Sequence, residues 1–322
     1  MTTFPDRLYH MGGAPVTSGG IPLTYGDTYF VDYDNGADRT NRGKKIDSAF
    51  KTVSYANDAL TTNNHDLVLL SAVSEHATTA KLTVAKNRTH WIGLEGGGRY
   101  FGQRSRIGLG ATTTITSTMR TTGVGNVFRN IKFSNQSNTG SASYVVEDGG
   151  EYSFFENCEF YKSDDMDQTS AAELLANGDS SFYRACTFGS LATATSGAIN
   201  RPCVMFDREL IAGKVARDNM FEDCLFWRNA GNAGNIFIEV TAGNDVERMI
   251  LFRHCTFIAN ILGQTMTNVI ESAATNAHVM FIDCNAVNCG SWATSATNAG
   301  VYVEQKLAST TDNEYGLMIQ AT

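Results

Sequence analysis

The chain is short of proline, of charge and of long apolar runs, and each shortage excludes something. Of 322 residues only four are proline, and three of these (Pro5, Pro15, Pro22) fall in the first 22. Charged residues make up 18%, against roughly 25% in an average soluble chain. Basic residues are outnumbered 25 to 33, a net charge of −8. A nucleic acid is therefore not the expected partner, because phosphate contacts need a basic face. No apolar run approaches the roughly 18 residues of a membrane-spanning helix. The opening Met1–Leu8 lacks a basic segment followed by an apolar one, so no signal peptide is expected. Seven cysteines in 322 residues are too sparse for a disulfide scaffold. No Gly-x-Ser-x-Gly is present. Gly93–Gly98 lacks the Lys-Ser/Thr ending of a phosphate loop and reads as a turn.

Hydrophobic residues reach 42%, enough for a large core. The missing charge is replaced by 35 Thr, 25 Asn and 30 Gly, polar uncharged and turn-forming residues that suit an all-β chain. The Gly/Pro-rich residues 1–27 read as an arm without a core of its own, one that a neighbour would have to hold. Thr28–Tyr33 alternates like a strand, and residues 34–43 are a loop. Phe50, Val53, Ala56 and Leu60 recur at helical spacing, with Asp47 or Ser48 as the expected N-cap. His65–Leu70 reads as a short buried strand.

A repeat dominates the rest. The hexamers beginning at Phe128, Phe155, Tyr183, Phe221, Phe252 and Phe281 share the pattern aromatic, x, corner residue, Cys or Ile, x, Phe or Ala. Their fourth positions are Ile131, Cys158, Cys186, Cys224, Cys255 and Cys284, which gives spacings of 27, 28, 38, 31 and 29 residues. In a strand alternate residues share a face. Apolar residues at positions one and four break that period, so the chain must turn between them. Position three is Asn130, Asn157, Ala185, Asp223, His254 and Asp283. Asn, Asp and His are the side chains that best tolerate left-handed backbone angles. Each hexamer is thus strand, one-residue corner, strand, with three inward side chains. A period near 28 with such corners describes a solenoid of stacked parallel sheets.

These residues resemble a right-handed parallel β-helix of the pectin-lyase-like class. Phe50–Ala56, Asp66–Leu70 and Trp91–Gly96 are similar to that class's capping helix, first strand and early coil. Phe30–Asp38 resembles the lead-in to β-helices of phage virion proteins. The resemblance covers roughly residues 28–305 and implies a leading strand, loop and capping helix over 28–60 and a β-helix of eight to nine coils over 61–305; with the arm over 1–27 and a tail over 306–322 this is the expected organisation.

Little in the chain points to chemistry. Cys158, Cys186, Cys224, Cys255 and Cys284 share one position in successive coils, forming a reduced inward ladder and not a converging metal site. No cofactor is expected. Asp164, Asp165 and Asp167, with Glu151 and Glu156 nearby, are the candidate acids for polysaccharide cleavage, which needs paired carboxyls; the competing reading is a solvated loop. Arg201-Pro202 is an isolated pair. Tyr152, Phe154, Tyr161 and Trp227 fall beside inward positions and are expected to face out, toward a subunit interface. Together with the resemblance to β-helices of phage virion proteins, these features lead to the expectation of a non-enzymatic homotrimer that decorates the outer surface of a phage capsid, made in the host cytoplasm. Phe4, Pro5, Leu8, Tyr9, Met11, Pro15 and Ile21 of the arm would contact the major capsid protein or another virion protein. The alternative is a tailspike or receptor-binding protein that binds or cleaves host polysaccharide.

Overall fold

The structure, a computed structural model, describes residues 9–11, 14–16, 26–72, 75–94, 105–109, 115–136, 144–162, 171–195, 201–208, 211, 213–260, 264–272, 278–293, 300–303, 306–307 and 317–319. Three parallel sheets wind around one core. Sheet I runs from Thr28–Val31 through Leu67–Leu70, His90–Gly93, Val127–Arg129, Phe154–Glu156, Phe182–Arg184, Met220–Glu222, Met249–Arg253 and His278–Ile282 to Val301–Val303. Sheet II holds the strands that follow each corner, such as Lys132–Asn135, Glu159–Lys162 and Leu225–Ala230. Sheet III carries the return strands, among them Tyr144–Asp148, Ala172–Ala176, Val204–Phe206 and Ile238–Val240. The fold is a right-handed parallel β-helix.

The hexamers build it. Their third residues, from Asn130 to Asp283, have φ of 49–56°, the left-handed region, and turn the chain from sheet I into sheet II. Asn157 Nδ2 donates to Asn130 Oδ1 one coil below at 2.8 Å, so the first two corners are also tied to each other. Positions one, four and six are all buried. Position-one rings stack in register, with centroids 4.7 Å apart for Phe128–Phe155, 5.1 Å for Phe155–Tyr183, 4.5 Å for Tyr183–Phe221 and 4.6 Å for Phe221–Phe252. Position-six rings form a second stack, from Phe133–Phe160 at 5.6 Å to Phe226–Phe257 at 4.5 Å. The spacing follows the roughly 4.8 Å between strands, so each ring lies over the one below.

Between the two stacks runs the cysteine ladder. All seven cysteines are free and buried. Each ladder thiol reaches the carbonyl of the position-one residue in the preceding coil: Cys186 Sγ lies 3.5 Å from Phe155 O, and Cys224 Sγ lies 3.4 Å from Tyr183 O. Burial pushes the pKa of Cys186, Cys224 and Cys255 well up. Cys224→Ser should therefore cost about 1–3 kcal/mol in a urea titration, since the shorter C–O bond draws the hydroxyl away from that carbonyl in a dry interior. An unchanged midpoint would contradict the ladder's packing role.

A second corner column joins sheet III back to sheet I. Arg88, Tyr152, Ser180 and Asp218 have φ of 46–55°, and Gly125 has 69°. The residue after each of the last four is buried and polar: Asn126, Ser153, Ser181 and Asn219. Ser181 N donates to Asn219 Oδ1 at 2.8 Å, so the backbone groups released at this corner find side-chain partners inside.

Two expectations need correction. The helix does not begin at Asp47 or Ser48. Ile46–Ser48 is a 3-10 turn, and α1 covers Val53–Ala59. Asp38 sets the start: its Oδ1 accepts from the backbone N–H groups of Lys51 (2.8 Å) and Thr52 (3.0 Å), and its Oδ2 from the Thr52 hydroxyl (2.8 Å). Thr52 Oγ1 then caps the helix by accepting from Tyr55 N at 3.2 Å. Phe50 instead bridges Val31 in extended backbone. The solenoid also exceeds residues 61–305 at both ends. Thr28–Val31 pairs parallel with Leu67–Leu70, and Leu317–Ile319 pairs parallel with Asn285–Val287.

Candidate functional site

Of the acids expected to carry chemistry, Asp164, Asp165 and Asp167 lie outside the described residues. Glu151 pairs with Lys214 at 3.2 Å, and Glu156 sits between Arg129 (2.8 Å) and Arg184. The structure thus places both in contacts between coils. The same holds for several other outward acids: Glu159 pairs with Lys132 (2.5 Å), Glu222 with Arg253, Asp218 with Arg248 (2.7 Å), and Asp179 and Glu247 flank Arg217. Glu147 accepts from Lys81 (2.7 Å), Arg120 and Ser117. Of the proposed arm contacts, Phe4, Pro5, Leu8 and Ile21 lie outside the described residues. Tyr9, Met11 and Pro15 fall in an antiparallel pair, Tyr9–Met11 with Ala14–Val16, that joins none of the three sheets.

Glu173 and Asp148 are among the carboxylates buried in the described part of the solenoid. Glu173 takes both Nη atoms of Arg228, at 3.0 and 2.8 Å, with both side chains at most 2% exposed; Cys203 Sγ completes the group 3.1 Å from Nη2. Asp148 accepts from Tyr183 OH (2.6 Å), Ser153 Oγ (3.1 Å) and Gly150 N (3.1 Å). Burial raises its pKa, as it raises that of Tyr183. Both groups are sealed and bind the coils together. Among the described residues no group of three or more His, Cys, Asp or Glu is arranged to hold a metal. A cavity of about 500 Å³ beside α1 is lined by Tyr29, Arg42, Lys44, Phe50, Tyr55 and Asp58. Lys44 there is held by Asp27 at 2.8 Å.

Among the described residues, the outward acid Glu239 differs. On sheet III, Glu147, Leu175, Met205, Glu239 and Glu271 are aligned on successive strands. Leu175 and Met205 pack with Tyr144, Ala172 and Ile211 in a small apolar cluster on this outer face. Glu239 follows directly, half-buried, and its Oε2 is enclosed without a hydrogen-bond partner. Desolvation, then the charges of Glu271 and Asp207, raise its pKa to about 7. A carboxyl that keeps its proton near neutrality beside a second carboxylate is the arrangement a general acid needs. Sequence reading missed this row because its members lie outside the hexamers. The available signal was a glutamate between inward residues, Ile238-Glu-Val and Ile270-Glu-Ser, repeated 32 residues apart.

A stability test follows from the sign of this shift. In the unfolded chain Glu239 titrates near 4.3, and in the fold near 7, so between these values the native state binds the extra proton. Its contribution is fully present below about pH 4 and is lost as pH rises through 7. Glu239→Gln should flatten that decline, raising the melting temperature at pH 8 more than at pH 5. An equal shift at both would mean the carboxyl is not perturbed.

No family model matches the chain, and no curated protein matches it. Solved structures do. A pectin methylesterase from Aspergillus niger superposes with a TM-score of 0.58 at 14% identity, covering 92% of this chain and 91% of that one. The carrot pectin methylesterase gives 0.56 at 15% identity, covering 91% and 88%. The pectate lyase Pel9A gives 0.54 at 12%, covering 88% and 78%. At these identities the likeness is one of fold, the pectin-lyase-like parallel β-helix.

Proposed function

We propose that this chain is a non-catalytic structural protein of a phage particle: a trimeric decoration protein on the outer capsid surface, anchored by an N-terminal arm over residues 1–27. The observation that carries this reading is how the chain divides its tasks. Its outward carboxylates largely face bases from adjacent coils, as Glu156 does between Arg129 and Arg184, so these flanks consolidate a rod. Ahead of the rod stands an arm whose described strands pair only with each other, a segment free to engage something else. The likeness of Phe30–Asp38 to the lead-in of phage β-helices supports the same reading, as does the acidic balance of −8, which suits an outer surface better than a DNA-facing one. Three arms per trimer multiply a weak contact through avidity. Deleting residues 1–25 should leave a folded trimer that no longer sediments with capsids. Retained capsid binding would remove the arm from the role.

A second reading, polysaccharide binding or cleavage, is favoured by Glu239 and by the pectin-directed names of the similar structures. Its test is incubation with host surface polysaccharide. Chain shortening by the intact protein, lost at least 100-fold in Glu239→Gln, would replace the structural reading.

A further inference from the structure

The outer face of sheet I carries two columns of side chains. The first passes from Val127 through Phe154, Phe182, Met220, Leu251, Met280 and Tyr302, aligned on successive strands. All are partly exposed and all present apolar surface. Phe154 and Phe182 stack with centroids 5.4 Å apart. Seven coils at about 4.8 Å make a stripe ~29 Å long and about one side chain wide. At ~10 Å across its footprint is ~300 Å², at the lower end of the largest apolar patch on a typical monomer, a patch that is often functional.

The second column lies two residues further along each strand: Arg129, Glu156, Arg184, Glu222 and Arg253. It alternates in sign. Glu156 is held by Arg129 and Arg184, and Glu222 by Arg253. The two arginines around Glu156 also lie over the Phe154 ring, at 5.5 and 5.8 Å. Three arginines against two glutamates leave the column at +1, in a chain whose net charge is −8. The glutamates of this face are thus neutralised within each protomer, so the strip beside the apolar column does not share the net negative charge of the chain as a whole.

We infer that sheet I is where copies of this chain meet, with the apolar columns of three parallel protomers converging along a threefold axis. A broad apolar face would suit two-fold, face-to-face packing. A stripe one residue wide fits an axis, where each protomer contributes an edge and equal heights meet: Phe154 with Phe154, Met220 with Met220. The closed ring leaves no unmatched copy of the stripe. This inference deepens the trimer of the proposed function by giving it a surface, and it stands or falls separately from capsid binding.

The test is the sedimentation mass of the full chain at micromolar concentration, expected at about three times 34.9 kDa. Phe182→Glu should lower it threefold while circular dichroism and the melting curve still report a folded solenoid. Met220→Cys gives a second readout that does not depend on disruption. Mild oxidation should link chains through position 220, because the native thiols are buried. A monomeric wild type overturns the inference. So does a folded Phe182→Glu trimer, or cross-linking only between a Phe182→Cys chain and a Met220→Cys chain, which would indicate an antiparallel pair. If the trimer forms as described and fails to bind capsids, the proposed function falls and this surface remains.

Discussion

Glu173→Ala is expected to destabilise the fold by about 3–5 kcal/mol, the cost of leaving a buried charge without its partner. Arg228 lies fully inside the solenoid, with both Nη atoms on the Glu173 carboxylate. Removing that carboxylate leaves a cation among Cys203 and the core, where water cannot replace it. The pair itself need not stabilise the fold. Desolvating two charges offsets most of their attraction, so the double replacement Glu173→Leu with Arg228→Met should recover most of the loss. Urea midpoints of the two single variants and the double variant form the cycle that separates these terms. Equal losses in single and double variants would mean that packing, not charge, dominates the site.

Phe221→Ala should cost a similar 3–5 kcal/mol. Its ring lies between Tyr183 at 4.5 Å and Phe252 at 4.6 Å, with Phe188 edge-on at 5.9 Å. The neighbouring strands are held by the ladder hydrogen bonds of sheet I, so the wall cannot move in to fill the space. Phe221→Leu retains most of the volume and should lose less than half as much. A loss below about 1 kcal/mol for the alanine variant would mean that the coil collapses into the gap, which a rigid stack does not allow.

Much of this architecture was legible in the hexamers, for a physical reason. The corner between sheets I and II takes positive φ and in five of six hexamers is Asn, Asp or His, and an inward stack selects similar apolar side chains at the same point of successive coils. Both constraints recur locally, so they print a period on the sequence. The onset of α1 was not legible. It depends on Asp38, 14 residues from the Thr52 it binds, and helical spacing alone cannot distinguish Phe50 in a strand bridge from Phe50 in a first turn. The Glu239 row escaped for a related reason. An outward glutamate looks the same in sequence whether a base stands in the next coil or not, and Glu147, on the same column, does have Lys81 and Arg120. The sheet I stripe was half visible. Phe154 reads as outward, but its alignment with Phe182 and Met220 requires the register between coils of different length.

That register also gives the molecule the properties of a graduated rod. The hexamer spacing varies from 27 to 38 residues, yet the rings inside keep nearly one separation, because additional residues are taken up outside the stack, as in the bulge between Ser190 and Ala194. Contour length per coil and axial rise per coil are therefore independent. Lineages of this protein could lengthen a turn freely without changing its reach. Reach itself changes only by whole coils, in steps of about 4.8 Å, and each added step brings its own ring, thiol and corner with it.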